Sequence, residues 1–443
     1  EREGMRRGRP ILVAIRIPDS VDYCRDIGLD VETWLDEGLV DILSGTCYFQ
    51  LNPWEYLVDL GHRYGVPVYP SLSESRVSGE TRFRRGSIES YRARAAQVWQ
   101  AGADGVYMFN YFNPRGDVWR ELGDRDALRS MDKLYFVAPR NGSPTSYLAD
   151  GARHQNVPIL TPSNPWLVPS GAPAEIPLPI GDDLTWAVGE GLQPKVTCHV
   201  RTIGSGDVEV AINGHSLSEP VEVEGWLDYD VPPAAVKTGD NVVALRADPP
   251  ADAGEWSLTY DGSSLPEMPW QEMGFYGGCV TEVVDGALLI ADRGTEGGNY
   301  AFYQYPCFIQ PEDESIIEFR AKVISDWSSV MVENGTAGEE IQLYPDRVKG
   351  RHTSAVYMMD TTDDFHTYRM VLQGDDYRVY VDGELRLDGE GLFTRPAHNG
   401  RSGVMFGAAN SGSLGEALWQ SVKVRSHAAT LIDLALSIDY QEG

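Results

Sequence analysis

Four short apolar runs in the first 140 residues each end in side chains that could do chemistry. Glu74 and Asp19 are the carboxylates among them, and a carboxylate can attack as a nucleophile or exchange a proton with a substrate. Arg16 interrupts an apolar run, where a guanidinium needs a carboxylate or a ligand to offset its desolvation. The residues at the ends of the runs are Arg16 and Asp19, Cys47 and Tyr48, Ser73 and Glu74, and Asn110 and Tyr111.

The elements that must position these side chains alternate in units of about 30 residues, which is typical of βα units around a parallel sheet. The pattern predicts strands near 11–17, 40–43, 66–72 and 105–112, with helices near 53–64, 87–101 and 118–129. If such units close into a barrel, function gathers where the strands end and the βα loops begin. Two contacts of Arg16 are then expected as alternatives. The guanidinium meets Glu74 inside the barrel, or it extends to Asp41 or Asp104 on the outer side.

The composition changes after these units. Residues 157–179 contain seven prolines and predict an extended connector. Beyond it, apolar runs flank the pairs Asn213-Gly214, Asp285-Gly286 and Asp382-Gly383, each of which predicts a two-residue hairpin turn. The predicted fold class is therefore multidomain, α/β followed by all-β, with two antiparallel β-sandwiches. The predicted segments are 1–140 for the βα units, 141–175 for the Pro-rich linker, and 176–262 and 263–443 for the sandwiches.

Three segments of the first region, GLDVETWLDEGLVDIL, HRYGVPVYPSLSE and AGADGVYMFNYF, resemble the C-terminal half of the (β/α)8 barrel of bacterial glycoside-hydrolase-like proteins. The resemblance implies half of a TIM-type barrel, strands five to eight, with the missing half in a longer chain or another subunit. It places Glu74 where retaining glycosidases with this barrel carry their nucleophile. Asp19 is the other carboxylate at a strand end, and Arg16, Tyr48, Ser73, Asn110 and Tyr111 become substrate-binding candidates.

The later segments carry two further resemblances. VEVAINGHSL and KTGDNVVALRA resemble a galactose-binding-like accessory sandwich. FHTYRMVLQGDDYRVYVDGELRLDG and RSGVMFGAANSGSLGEALWQSVKV resemble the concanavalin-like, laminin-G-like jelly roll. Sugars are the common ligands of such modules, which implies that aromatic side chains such as Trp327 and Tyr303 could stack on sugar rings.

The overall charge limits the classes of partner that the protein is expected to bind. With 37 Lys and Arg against 66 Asp and Glu, the net charge of −29 argues against binding to nucleic acid or to an anionic membrane. No apolar stretch approaches the roughly 20 residues of a membrane span. The five cysteines form no C-x-x-C pair, so we predict no zinc site and no other cofactor, although the acidic turns of the sandwiches could bind calcium.

These observations predict a carbohydrate-active protein. We expect a glycoside hydrolase that acts on a poly- or oligosaccharide by carboxylate catalysis, as a fragment without the first half of its barrel. The alternative is a non-catalytic carbohydrate-binding or surface-attachment protein. The resemblance places either one outside the cell or in the periplasm.

Overall fold

The computed structural model describes most of the chain. The described residues are 2–45, 50–74, 76–77, 79–140, 151–168, 172–204, 207–247, 256–267, 269–274, 277–294, 300–307, 309, 314–398, 401–410, 413–426 and 429–441.

The N-terminal region contains short strands connected by helices. In chain order the elements are α1 (Arg2–Arg7), β1 (Ala14–Ile17), α2 (Val21–Asp26), α3 (Val31–Asp36), β2 (Ile42–Gly45), α4 (Trp54–Arg63), β3 (Ser71–Ser73), α5 (Ile88–Gln100), β4 (Tyr107–Phe109), α6 (Val118–Glu121), α7 (Arg125–Leu128) and β5 (Lys133–Phe136). Strand β1 pairs with β2 and β3 with β4, both parallel, and an isolated parallel bridge joins Leu43 to Val68. The predicted βα alternation is therefore present.

The predicted half of a TIM-type barrel is wrong. The described parallel strands form two separate pairs of three or four residues each, and no part of the described chain closes into a cylinder. The next strand, β5, turns away and pairs antiparallel with the last strand of the chain. Strands cover 44 % of the residues and helices 16 %, so the protein is mainly β rather than α/β. Such short strands offer few ladder hydrogen bonds. The missing barrel half was inferred from the same resemblance and has no other support.

Two antiparallel sheets follow. Their elements are β6 (Trp166–Val168), β7 (Ala174–Pro177), α8 (Leu184–Gly189), β8 (Gln193–Ile203), β9 (Val208–Ile212), β10 (His215–Leu217), β11 (Val221–Val223), β12 (Trp226–Val231) and β13 (Val242–Ala247), with 3-10 turns at Gly151–His154 and Pro233–Ala235. One sheet has the order β10-β9-β13-β7. The other has the order β11-β12-β8-β29-β5, with β6 also paired to β29 (Ala429–Gln441). Alternate apolar residues such as Val200, Val243 and Leu436 fill one core between them.

The C-terminal region is a larger two-sheet sandwich. Its strands are β14 (Leu258–Tyr260), β15 (Gln271–Gly274), β16 (Cys279–Val284), β17 (Ala287–Asp292), β18 (Tyr300–Tyr305), β19 (Ser315–Ser325), β20 (Ser328–Asn334), β21 (Gly338–Tyr344), β22 (Arg347–Gly350), β23 (Val356–Met358), β24 (His366–Gln373), β25 (Asp376–Val381), β26 (Glu384–Gly389), β27 (Ser402–Asn410) and β28 (Glu416–Arg425). The eight-stranded sheet has the order β16-β17-β28-β19-β24-β25-β26 with β14 on β28, and the seven-stranded sheet the order β15-β18-β27-β20-β21-β22-β23. The β-sandwich predicted for this region is confirmed.

The three hairpin turns are confirmed as well. In each pair the first residue, Asn213, Asp285 or Asp382, has a positive φ of 50°, and the following glycine is also in the left-handed region. A two-residue turn of this kind matches the right-handed twist of the flanking strands. The predicted division of the chain into four segments stays a prediction, and the sheets themselves link its parts, since β29 pairs with both β5 and β8.

Candidate functional site

The side chains predicted at the strand ends of the N-terminal region lie in different surroundings. Glu74 is exposed, and its backbone N–H donates to the carbonyl of Phe109 at 3.4 Å. Arg16 is also exposed, and its guanidinium lies 3.8 Å from the ring centroid of Phe109. Asp41, just before β2, accepts the backbone N–H of Val13, just before β1, so this carboxylate joins the starts of the two paired strands. Tyr48 lies outside the described residues.

Asp19 is buried, with 1 % of its surface exposed. Its carboxylate accepts the backbone N–H groups of Leu51 at 3.0 Å and Asn52 at 3.0 Å, and the amide of Asn52 donates back to the carbonyl of Asp19 at 2.6 Å. Burial raises its pKa to about 6, and the bonds from Asn52 and Leu51 oppose that rise. Asp19 thus fastens the segment before α4, and its raised pKa is a feature that the sequence did not indicate.

Three other predicted residues lie at the ends of β3 and β4. Asn110 has a positive φ of 56°, a conformation that asparagine tolerates better than most residues. The ring of Tyr111 makes edge contacts with Tyr91 and Trp119, each with centroids 5.6 Å apart. Ser73 is buried, and its hydroxyl accepts a hydrogen bond from Arg140.

A second group of polar side chains lies on the seven-stranded sheet. Strands β20 and β21 pair in register, with Ser329 opposite Gln342, Met331 opposite Glu340 and Glu333 opposite Gly338. The alternate residues Val330, Val332, Ile341 and Leu343 fill the core. The opposite face therefore carries a set that we call the Glu340 face, made of Trp327, Ser329, Met331, Glu333, Glu340, Gln342 and Tyr344.

The β20–β21 turn fixes that register. The side chain of Asn334 accepts the N–H groups of Thr336 at 3.0 Å and Ala337 at 2.7 Å, and Gly335 takes a φ of 84°. A side chain that hydrogen-bonds its own backbone in this way stabilises a tight turn. Gly338 has no side chain, and a Cβ there would come within 2.7 Å of Cγ of Glu333. The glycine thus leaves room for Glu333 to lie along the face.

A ladder of hydrogen bonds runs along β21 on this face. Tyr344 donates to Oε1 of Gln342 at 3.3 Å, and Nε2 of Gln342 donates to Oε1 of Glu340 at 3.3 Å. Arg351 contacts the other oxygen of Glu340 at 2.5 Å. Glu340 is 1 % exposed, so this guanidinium offsets the cost of burying the carboxylate.

Glu333 is the second carboxylate on the Glu340 face. Its Oε1 accepts the N–H of His398 at 2.7 Å, and its Oε2 lies 3.4 Å from Nε of Arg401. Diagonal neighbours on paired strands have their Cα atoms roughly 7–8 Å apart. Glu333 and Glu340 are such diagonal neighbours, so both carboxylates lie on one face of adjacent strands.

The aromatic end of the face includes one predicted binding residue. Trp327 donates to Oγ of Ser413 at 2.8 Å, and its ring centroid lies 6.2 Å from that of Tyr344. The other predicted residue of this region, Tyr303, is 1 % exposed, and its ring stacks on Phe406 in the core. The structure therefore places Trp327 beside Tyr344, at the end of the face away from Glu333, and places Tyr303 between the two sheets.

Sequence reasoning missed Glu333 and Glu340. The segment GEEIQLY does alternate polar and apolar residues from Glu340 onwards, which is a period-two signal for one polar face. The face also needs β20, and the pairing of Glu333 with Gly338 depends on the turn register rather than on composition.

Comparisons with known proteins found structural similarity alone. No family model matches the chain, and no curated protein sequence matches it. Among solved structures, a β-glucanase of Bacillus licheniformis is 15 % identical, with 39 % of this chain and 99 % of that chain covered and a TM-score of 0.29. The catalytic domain of an endo-1,3-β-glucanase (laminarinase) of Thermotoga petrophila is 14 % identical, covering 38 % and 96 %, with a TM-score of 0.27. An alginate lyase of polysaccharide lyase family 7 is 16 % identical, covering 36 % and 86 %, with a TM-score of 0.26. These values are too low to transfer an activity, and the sandwich is established by the strand pairings described above.

No helix in the described ranges is both long and apolar enough to cross a membrane. Among the same residues, no three His, Cys, Asp or Glu side chains are grouped so that they could hold a metal ion. Calcium binding by the sandwiches stays a prediction.

Proposed function

We propose that this protein binds a poly- or oligosaccharide on the Glu340 face and hydrolyses it with Glu333 and Glu340. The observation that carries the proposal is the placement of two carboxylates and an aromatic pair on one face of one sheet. Glycoside hydrolysis uses two carboxyl groups at a separation of roughly 5–9.5 Å, one as proton donor and one as nucleophile or base. The low-scoring likeness to glucanases is compatible with this reaction and does not carry it.

The remaining side chains of the face suit a sugar. Tyr344 is half-buried and offers ring surface for the apolar side of a pyranose, with the buried Trp327 packed beside it. Gln342 and Ser329 offer hydrogen-bonding groups for its hydroxyls. In the described part of the chain the buried hydroxyl of Ser329 has no hydrogen-bond partner. A buried polar group without a partner is costly, so a ligand that satisfies it gains affinity.

A non-catalytic binding role is the second candidate. It is favoured by the arginines that already contact both carboxylates, Arg351 on Glu340 and Arg401 on Glu333. A carboxylate held as an ion pair is a poor proton donor, because the neighbouring positive charge favours its ionised form. The catalytic roles predicted for Glu74 and Asp19 stay predictions, as does the extracellular or periplasmic location.

The test is hydrolysis of a panel of β-glucans, alginate and aryl glycosides by the purified chain and by single variants. We expect Glu333→Gln and Glu340→Gln to lower the turnover number by about 100- to 10,000-fold, the range for a lost acid or base. Glu282→Gln is the matched control, since Glu282 is exposed on the other sheet. Glu74→Gln is measured beside them and should leave turnover unchanged.

The outcomes separate the candidates. Loss of turnover in Glu74→Gln alone would move the reaction to the strand ends and overturn the proposal. If no substrate is cleaved but Trp327→Ala weakens binding to one of the polysaccharides, the protein is a binding module that uses the same face. Turnover and binding that are unaffected by Glu333→Gln, Glu340→Gln and Trp327→Ala would contradict both roles of this face.

A further inference from the structure

A cavity of about 200 Å³ lies in the N-terminal half of the molecule and shares no residue with the Glu340 face. Helix α5, strand β3, strand β5 and the connector after it contribute its walls. Most of the lining is apolar and includes Leu134, Phe136, Pro139 and Pro158. A concave, mostly apolar space with a few polar groups is the usual form of a small-molecule site.

Arg94 is the buried cation of this cavity. It is 6 % exposed, and its two terminal nitrogens donate to backbone carbonyls, Nη1 to Ser73 at 2.9 Å and Nη2 to Arg85 at 3.3 Å. Its guanidinium lies 4.1 Å from the ring centroid of Tyr91. Within the described ranges no carboxylate forms an ion pair with it, and its Nε has no hydrogen-bond acceptor. The two carbonyls and the ring of Tyr91 contact the guanidinium without neutralising its charge.

Two serine hydroxyls, of Ser71 and Ser73, line the same cavity as Arg94. Ser71 is 4 % exposed, and its Oγ has no partner among the described residues. Ser73, two residues further along β3, receives a hydrogen bond from Arg140, which also lines the cavity. The carboxylates that line the cavity, Glu55 and Asp240, are both exposed. The buried part of the cavity is therefore cationic, in a protein whose net charge is −29.

We propose that this cavity binds the carboxylate of a small organic acid, with Arg94 and Ser71 as the groups that hold its head. An anion supplies the negative counter-charge that Arg94 lacks, and charge-assisted hydrogen bonds to a guanidinium are among the stronger ones in proteins. The apolar walls suit a carbon skeleton behind that head. A carboxylate fits better than a phosphate dianion. The two donors without partners among the described residues, Nε of Arg94 and Oγ of Ser71, match two oxygens, and the apolar walls provide few hydrogen-bonding groups for a third oxygen.

The experiment uses acetate, butyrate and benzoate as probes in calorimetric titrations of the whole chain. Butyramide serves as the neutral analogue of butyrate, and inorganic phosphate serves as the competing anion. We expect saturable binding of butyrate or benzoate, with little or no binding of butyramide or phosphate. Ser71→Ala should weaken that binding about five- to tenfold, as for the loss of one hydrogen bond.

Ser315→Ala is the matched control. Ser315 is also buried with an unpartnered hydroxyl in the described structure, but it lies on β19, outside this cavity. Its substitution should leave the dissociation constant unchanged. Arg94→Met should abolish binding, and if that variant does not fold, Ser71→Ala still decides. Absence of saturable binding by all three acids, equal binding in Ser71→Ala, or tighter binding of phosphate would each overturn the proposal. Glu333→Gln leaves the cavity intact, so failure here is distinct from failure of the proposed hydrolysis.

Discussion

At the scale of single residues, the molecule buries several charged side chains and compensates them in different ways. Asp19 is held by backbone N–H groups, Glu340 by Arg351, and Arg85 by Asp433. Arg94 is held by two backbone carbonyls and the ring of Tyr91, none of which is a counter-charge. Because an uncompensated buried charge is costly, the two residues with the weakest compensation, Asp19 and Arg94, are those with the clearest physical consequences.

The pH dependence of stability tests the burial of Asp19. Its folded pKa of about 6 lies above the ordinary value of 3.8, so the folded state binds the proton more tightly. Asp19 therefore contributes stability that is fully present below about pH 4 and is lost as the pH rises through 6. The difference between the two values corresponds to about 3 kcal/mol.

We expect the stability of the native chain relative to Asp19→Asn to fall by about that amount between pH 4 and pH 7, measured by urea unfolding. Asp36→Asn, at an exposed position, should show a constant difference over the same range. A constant difference for Asp19→Asn as well would contradict the raised pKa.

At the scale of elements, the last strand holds the middle of the molecule together. Strand β29 lies between β8 and β5, and it also pairs with β6. Its Asp433 forms a two-pronged ion pair with Arg85, at 2.7 Å and 2.9 Å, although the two residues are 348 positions apart. Arg85 also donates to the carbonyl of Ala138 at 2.6 Å and lies 4.1 Å from the ring centroid of Phe136. A single buried guanidinium thus fastens the segment before α5 to the last strand.

A double-mutant cycle on this ion pair measures how strongly it couples the two ends of the chain. Arg85→Met should lower the free energy of unfolding by about 3–5 kcal/mol, because it leaves Asp433 buried without its partner. Asp433→Leu should cost less, because Glu80 still contacts Arg85 at 3.1 Å. The double variant should lose clearly less than the sum of the two. Additive losses in urea unfolding would show that the residues act independently.

At the scale of the whole molecule, a buried polar network joins three distant parts of the chain. Asp182 accepts from Lys133 at 2.9 Å and from Tyr440 at 2.6 Å, and Tyr135 also donates to it. Lys133 and Asp182 are both buried, and burial lowers the pKa of that lysine while the neighbouring carboxylate opposes the shift. The segment before α8, strand β5 and strand β29 therefore meet at one carboxylate.

Loss of that carboxylate should loosen the shared sheet. We expect Asp182→Asn to cost about 3–5 kcal/mol, since it leaves Lys133 charged and without its counter-charge. Amide hydrogen exchange should accelerate together in β5 and in residues 435–438 of β29, which pair with it. Asp230→Asn, at an exposed strand position, should change stability by less than about 0.5 kcal/mol. Faster exchange in only one of the two strands would argue against a joint role for Asp182.

The sequence by itself determined the features that depend on near neighbours. The turns at Asn213-Gly214, Asp285-Gly286 and Asp382-Gly383 were predictable, because their backbone conformation is set by the two residues of the turn. The βα alternation and the later sandwich were also predictable, because the period of the apolar residues shows which local structure buries them.

Only the tertiary structure decided which strands pair and which side chains meet. The resemblance of the first region suggested half of a barrel, but strands of three or four residues cannot impose their own closure, and β5 pairs instead with a strand about 300 residues away. Glu333 comes near Glu340 through the register of one turn, and Arg94 and Ser71 line one cavity through the packing of a helix on a strand. These contacts depend on long-range pairing and shape, and local sequence periodicity specifies neither of them.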